Sequence, residues 1–328
     1  MDLADAVATV EDLRRLAAEA DGHVAAHTGL PSAGEAEPVT VVDRPGWIRS
    51  NVAGFADLVD PLLDNVMAGR AKSLGPVMTA VGSRATGAEV GVLLAYLATR
   101  VLGQFELFGG ESGRLTLVAP NIVVAEQALD VDKRDFRLWV CLHEVTHRTQ
   151  FAAAPWLHGH VRSLLADYLG AGDLDPAALA SRLRGALRGL VDTARGRGEM
   201  SVLELVQTPA QREVLDRITG LMSLLEGHAD VVMDGVGPVV VPSVAQIRAR
   251  FEARRGAGGP IDRAVRRLLG LDLKLRQYAE GAAFVRAAVA ELGMDGFNVV
   301  WTSPELLPTG TEIRAPQQWL SRVAAPAA

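Results

Sequence analysis

Cysteine occurs once in 328 residues, at Cys141, which excludes an intramolecular disulfide and any zinc cluster built on thiolates. Long apolar runs are also missing. A bilayer span needs about 18 uninterrupted apolar residues, and the most apolar stretch, residues 90–103, is too short and too rich in small side chains. Positive charge is not in excess: the net charge is −6, so no overall basic field draws in nucleic acid or anionic lipid. Lysine is confined to Lys72, Lys133 and Lys274; the remaining basic residues are arginines, which are suited to surface ion pairs. The opening MDLADAVATVEDL carries acids where a signal peptide needs a basic start. These absences predict a soluble, cytoplasmic protein with neither nucleic acid nor membrane as partner.

What is present is ordinary globular material, 49% hydrophobic and 22% charged, enough to bury a sizeable core. Alanine, leucine, arginine and glutamate dominate, and apolar residues recur at three- and four-residue spacing. Helices are expected over 3–27, 46–68, 86–104, 133–152, 156–169, 176–192, 209–234, 243–255, 261–270 and 272–292. Thr208-Pro209 and Asp175-Pro176 read as N-caps with proline in the first helical position, and Gly235, Gly237 and Pro238 punctuate the end of 209–234. Strand signal is limited to 40–42, 114–119 (ended by Pro120) and 238–241. So few strands exclude a doubly wound sheet. The expected fold is mainly α (α+β), one domain over 1–328 with a small sheet, and 28–45 and 293–328 as surface-wrapped connection and tail.

The chemically informative string is LWVCLHEVTHRTQF, residues 138–151, which places H-E-x-x-H in a helical, mostly apolar pattern. His143 and His147, four residues apart, lie about 40° from each other around a helix, so both imidazoles can reach one cation. Glu144 borders the same face and can reach a metal-activated water without becoming a ligand. By chance alone the pattern arises in about one in a hundred chains of this length, so it needs a partner.

A catalytic zinc takes three protein ligands and keeps one position open. The extended motif with glycine and histidine after the second ligand fails at Gln150 and Ala153, and the inverted H-x-x-E-H order is absent. An E-x-x-x-D pair on a later helix is present as Glu226-Gly-His-Ala-Asp230, set among Leu221, Leu224, Leu225, Val232 and Met233. Two carboxylates in so apolar a helix are costly to bury without a cation or strong hydrogen bonds. Glu226 is the expected third ligand. Asp230, one turn on, is expected to hydrogen-bond the far nitrogen of a ligating histidine.

With Zn2+ at His143, His147 and Glu226, the attacking water becomes acidic at neutral pH and Glu144 serves as general base towards a peptide or other carbonyl substrate. Arg276 and Tyr278, in the polar interruption LKLRQYAEG, are candidates for stabilising the oxyanion, with His228 behind them. His228 lies about 200° from Glu226 around the helix, which favours a structural role. The strand at 114–119 could offer an edge to an extended peptide. Cys141 faces away from the metal as a small buried hydrophobe, His23, His27, His158 and His160 read as surface residues, and the arginines from Arg248 to Arg267 as a solvated face.

The runs CLHEVTHRTQF, LMSLLEGHADVVMDGVG and LLGLDLKLRQYAEGAAFV resemble the bacterial zincin-like metallopeptidase type 2 family. Its members are often labelled as associated with deazaflavin-cofactor biosynthesis. The similarity extends from LGQFELF (102–108) to the WTSPELLPTGTEIRAPQQWLSRV tail. It implies a mostly helical zincin-like fold and a zinc hydrolase, without a substrate. Two other readings stand beside it: a scaffold that keeps a zincin-like body without turnover, and a di-iron carboxylate protein. Glu144-Val-Thr-His147 supplies one E-x-x-H for the latter, but the sequence holds no second copy.

Overall fold

The computed structural model of the protein describes residues 2–32, 39–54, 91–92, 94–107, 113–171, 208–256 and 271–324, with side chains at all of these but 169, 255–256 and 271–278. The expected helices at 176–192 and 261–270, and most of 46–68, lie outside the described residues. Helix α1 (Leu3–Thr28) starts where the Asp2 carboxylate accepts from the Asp5 N–H and stops at Gly29, whose φ of 69° suits glycine. Strand β1 (Thr40–Val42), a helical stretch over 44–54, and strands β2 (Gly103–Glu106) and β3 (Arg114–Val118) follow. After them come α2 (Ala119–Leu129), α3 (Lys133–Ala153), α4 (Trp156–Gly170), α5 (Pro209–Val240), α6 (Val244–Gly256) and α7 (Leu271–Phe297). Two 3-10 turns, Asn298–Trp301 and Pro304–Leu306, lead to α8 (Gly310–Arg314) and α9 (Pro316–Ala324).

The fold is mainly helical with one small sheet, ordered β1-β3-β2, in which β1 runs parallel and β2 antiparallel to β3. Helix α3 is its axis. Asp132 caps it by accepting from the Asp135 N–H, and it ends at Ala153, just before Pro155. It is buried on nearly every side, with α1 and α5 packed against it and the sheet lying across it. One apolar cluster joins α1, α2, α3 and the inner face of the sheet through Leu13, Leu16, Leu117, Phe136 and Leu142. A second joins α4, α5, α7 and the C-terminal residues through Leu157, Leu224, Phe284, Phe297 and Trp319.

Four expectations are corrected. Residues 103–104 belong to β2, not to a helix: Asn121 of α2 donates to the carbonyls of Ala98 and Val101, fixing the turn that leads into the strand. The strand expected over 114–119 stops at Val118: Ala119 and Pro120 open helix α2, which the sequence pattern does not predict, and in its first turn the missing N–H of Pro120 costs nothing. Residues 238–241 form no strand: after a non-helical Gly237 (φ 71°), Pro238 opens another helical turn, and Val239 is 92% exposed. The segment from 293 onward is no surface wrap, since Phe297, Val300, Trp301, Ile313, Trp319 and Leu320 are all buried. Its polar, proline-bearing sequence reflects short capped turns (Thr309 and Glu312 form a capping box) that carry apolar anchors inward.

Candidate metal centre

Two helices build the site. On α3, the four-residue spacing brings His143 and His147 together with their Nε2 atoms 3.2 Å apart. On α5, started by a Thr208–Gln211 capping box with Pro209 in its first turn, Glu226 faces them. Its Oε2 lies 3.3 Å from Nε2 of His143 and 3.8 Å from Nε2 of His147. All three side chains are partly buried. Zinc bonds of about 2.0–2.2 Å give a tetrahedron edges of about 3.3–3.6 Å. Three donors of the kinds zinc prefers therefore stand close to the corners of such a figure, and the residues fit the metal. Among the described residues they form the one group of three or more histidine, cysteine or carboxylate side chains gathered closely enough to hold an ion.

The nitrogens turned away from the site are held by neutral groups. Nδ1 of His147 donates to Oε1 of Gln150 at 3.0 Å, and Nδ1 of His143 faces the Met233 sulfur at 3.2 Å. This corrects the role expected of Asp230, whose carboxylate pairs instead with Arg248 at 3.1 Å and lies 3.9 Å from Arg286. Those guanidiniums, which also pair with Asp234, hold Asp230 out at the rim of α5. Arg248 therefore belongs to an ion-pair network, not to a merely solvated face. Burial alone would push His143 down; the hydrogen bond and charge of Glu226, aided by Glu144 and Asp230, hold it above its usual value.

Glu144 sits beside the ligands, buried under strand β2. A Cβ on Gly103 would lie 2.6 Å from Cγ of Glu144 and 2.8 Å from its Oε1, so only glycine leaves room for this carboxylate. Burial pushes the Glu144 carboxyl up to about 7; the nearby His143 opposes the shift and Glu226 adds to it. β2 is an outer strand of the sheet, whereas β3, the strand expected to offer an edge, is paired on both sides. Periodicity marks β2 only weakly in the sequence, because the strand is four residues long. Its signal is the glycine followed by alternation, Gly103 and Phe105 towards α3 and Gln104 and Glu106 towards the 44–54 stretch.

His228 is fully buried against Phe297 and Trp301, and its Nδ1 accepts from Gln150 at 3.0 Å. Burial pushes it down to about 3, so it is neutral and structural. Cys141 is buried and points to the Leu13 carbonyl. His158 is tied to the Leu107 carbonyl just past β2, and His27 packs against Gly235; neither is a free surface residue. Arg276 and Tyr278 fall on α7, but their side chains lie outside the described residues. The α7 backbone does come very close to α5 where Gly281 meets Ser223 and Gly227, beside Glu226.

The model of a family described as zincin-like metallopeptidase matches residues 1–320. Among solved structures, the chain is similar to a presumed hydrolase with a novel fold from Chloroflexus aurantiacus, at 34% identity and a TM-score of 0.66, covering 97% of this chain and 90% of that one. A comparison with curated proteins finds no match. With the H-E-x-x-H helix, the distant glutamate and this extent of similarity together, the chain belongs to the zincin-like metallopeptidase family.

Proposed function

We propose that the protein is a zinc-dependent hydrolase that cleaves a peptide or another acyl substrate, with His143, His147 and Glu226 as ligands and Glu144 as general base. The observation that carries this reading is the convergence of three donor atoms at the spacing of a tetrahedral face, with a buried carboxylate beside them that is not one of the three. Zinc would supply a Lewis acid that polarises the substrate carbonyl and makes water acidic near neutral pH. Glu144 accepts the proton of the attacking water and returns it to the leaving nitrogen or oxygen. Gly103 keeps the carboxylate pressed towards the ligands and the overlying strand shields it from solvent.

A peptide fits this site by lying antiparallel along β2, whose outer side carries no partner strand among the described residues. Arg276 and Tyr278 are our candidates for holding the oxyanion, because the Gly281–Gly227 crossing brings α7 to the level of Glu226. Cytoplasmic action is consistent with a lone buried cysteine. Among the described residues, no helix is long and apolar enough to cross a membrane.

Metal content of protein purified without chelator tests the proposal. About one zinc per chain is expected, lost in Glu226→Ala and retained in Glu144→Gln, with peptidase activity abolished in both. Wild-type protein that refuses zinc would favour the scaffold reading, two irons per chain the di-iron reading, and undiminished turnover in Glu144→Gln would refute the mechanism.

A further inference from the structure

We infer that Gln150 is the positioning residue of the metal centre: its single amide fixes the metal-ready tautomer of His147 and locks helix α3 to the backbone of helix α5 next to Glu226. The inference rests on the metal site proposed above. Gln150 lies seven residues after His143 and three after His147, on the same face of α3, and is fully buried. Its Oε1 can only accept, so Nδ1 of His147, 3.0 Å away, must carry the proton. That leaves the lone pair on Nε2, the atom that faces Glu226.

The Nε2 of the same amide is committed elsewhere. It donates to the carbonyl of Leu225 at 2.9 Å and to Nδ1 of His228 at 3.0 Å. Both acceptors belong to α5 and flank Glu226 in sequence. Every hydrogen-bonding group of the Gln150 amide is thus engaged, and the amide cannot flip without turning its NH2 on His147 and its oxygen on two acceptors. Two histidines, one a ligand and one a fully buried ring, are thus assigned complementary tautomers by one side chain. A carboxylate at this place would raise the basicity of His147 as a ligand, whereas an amide orients it without adding charge, leaving a bound cation more electrophilic.

Gln150→Leu and Gln150→Glu separate this role from simple packing. Both remove the donors to Leu225 and His228, and both are expected to lower the melting temperature. Only Gln150→Leu removes the acceptor for His147. We expect its zinc affinity, measured by chelator competition, to fall about ten- to a hundredfold, and the visible bands of the cobalt-loaded protein to shift. Gln150→Glu should stay within a few-fold of wild type with its bands restored. Equal loss of affinity in the two variants, or wild-type affinity and bands in Gln150→Leu, would overturn the assignment.

A direct reading needs neither variant to fold. Long-range proton–nitrogen spectra of metal-free wild type above pH 8, with the His147 signals identified by their loss in His147→Gln, should show the proton on Nδ1. A proton on Nε2 would refute the proposal, and this holds even for a protein that takes no zinc, the outcome that would instead defeat the hydrolase reading.

Discussion

Gly103 and Glu144 show how little space the site allows. A methyl group at residue 103 meets the Glu144 side chain at 2.6 Å, so either the carboxylate turns aside or β2 lifts from α3. Misplacing a catalytic group by about 1 Å costs on the order of a hundredfold in rate. Gly103→Ala should therefore keep its zinc and its fold, by elemental analysis and circular dichroism, while turnover falls by about that factor; an unchanged rate would mean that the strand does not hold the base. The thiol of Cys141 is governed by burial in the same way. Burial pushes it well above the ordinary thiol range, and it sits between α1 and α3. Native protein should give no thiol titre with a disulfide reagent over hours, and one equivalent per chain in denaturant.

Elements are joined by ion pairs placed where helices meet. Arg137 of α3 makes two 2.8 Å hydrogen bonds to Glu126 of α2 and one of 3.1 Å to Asp12 of α1, and Glu126 is almost wholly buried. Removing the cation would strand that carboxylate away from water. Arg137→Met is expected to cost about 3–5 kcal/mol in chemical denaturation, and Arg137→Met with Glu126→Leu to recover much of it. In the C-terminal elements, Glu312 of α8 accepts from Arg322 of α9 at 2.7 Å and from the Thr309 N–H at 2.9 Å. Burial raises its pKa, but Arg322 and Thr309 outweigh this and hold it below its ordinary value. A carboxylate with a lowered folded-state pKa stabilises above its unfolded value, and that stability is lost as pH falls through the folded one. Glu312→Gln should then be less stable than wild type at pH 7 in chemical denaturation, by about 1–3 kcal/mol, with the difference closing below about pH 4.

At the scale of the molecule, the two apolar clusters meet across α3 and α5, the helices that bear the ligands, so assembling the core also assembles the site. The C-terminal residues complete the second cluster: Trp301 and Phe297 close over His228, and Trp319 packs on Phe284. A chain ending after residue 297 would expose several of the largest apolar side chains. It should fail to bind zinc and bind a hydrophobic dye strongly; a truncated chain that keeps its zinc and excludes the dye would show that the site assembles without these residues.

Local sequence determined the parts of this protein that depend on spacing along one helix. The four-residue step from His143 to His147, the acid between them, the cap at Thr208, and the apolar setting of Glu226 are properties of the chain itself, legible because helical geometry converts sequence distance directly into direction. Only tertiary structure decided what lies opposite. Asp230 stands one turn beyond Glu226, where the sequence pattern predicts a partner for a ligating histidine, yet Arg248 and Arg286 from other helices capture it, and Gln150, chemically unremarkable in the sequence, holds His147 instead. Strand β2 and the buried tail were hidden for the same reason. Four residues of strand carry too little periodicity to outweigh their surroundings, and a turn-rich segment reveals its buried tryptophans only when the helices that cover them are present.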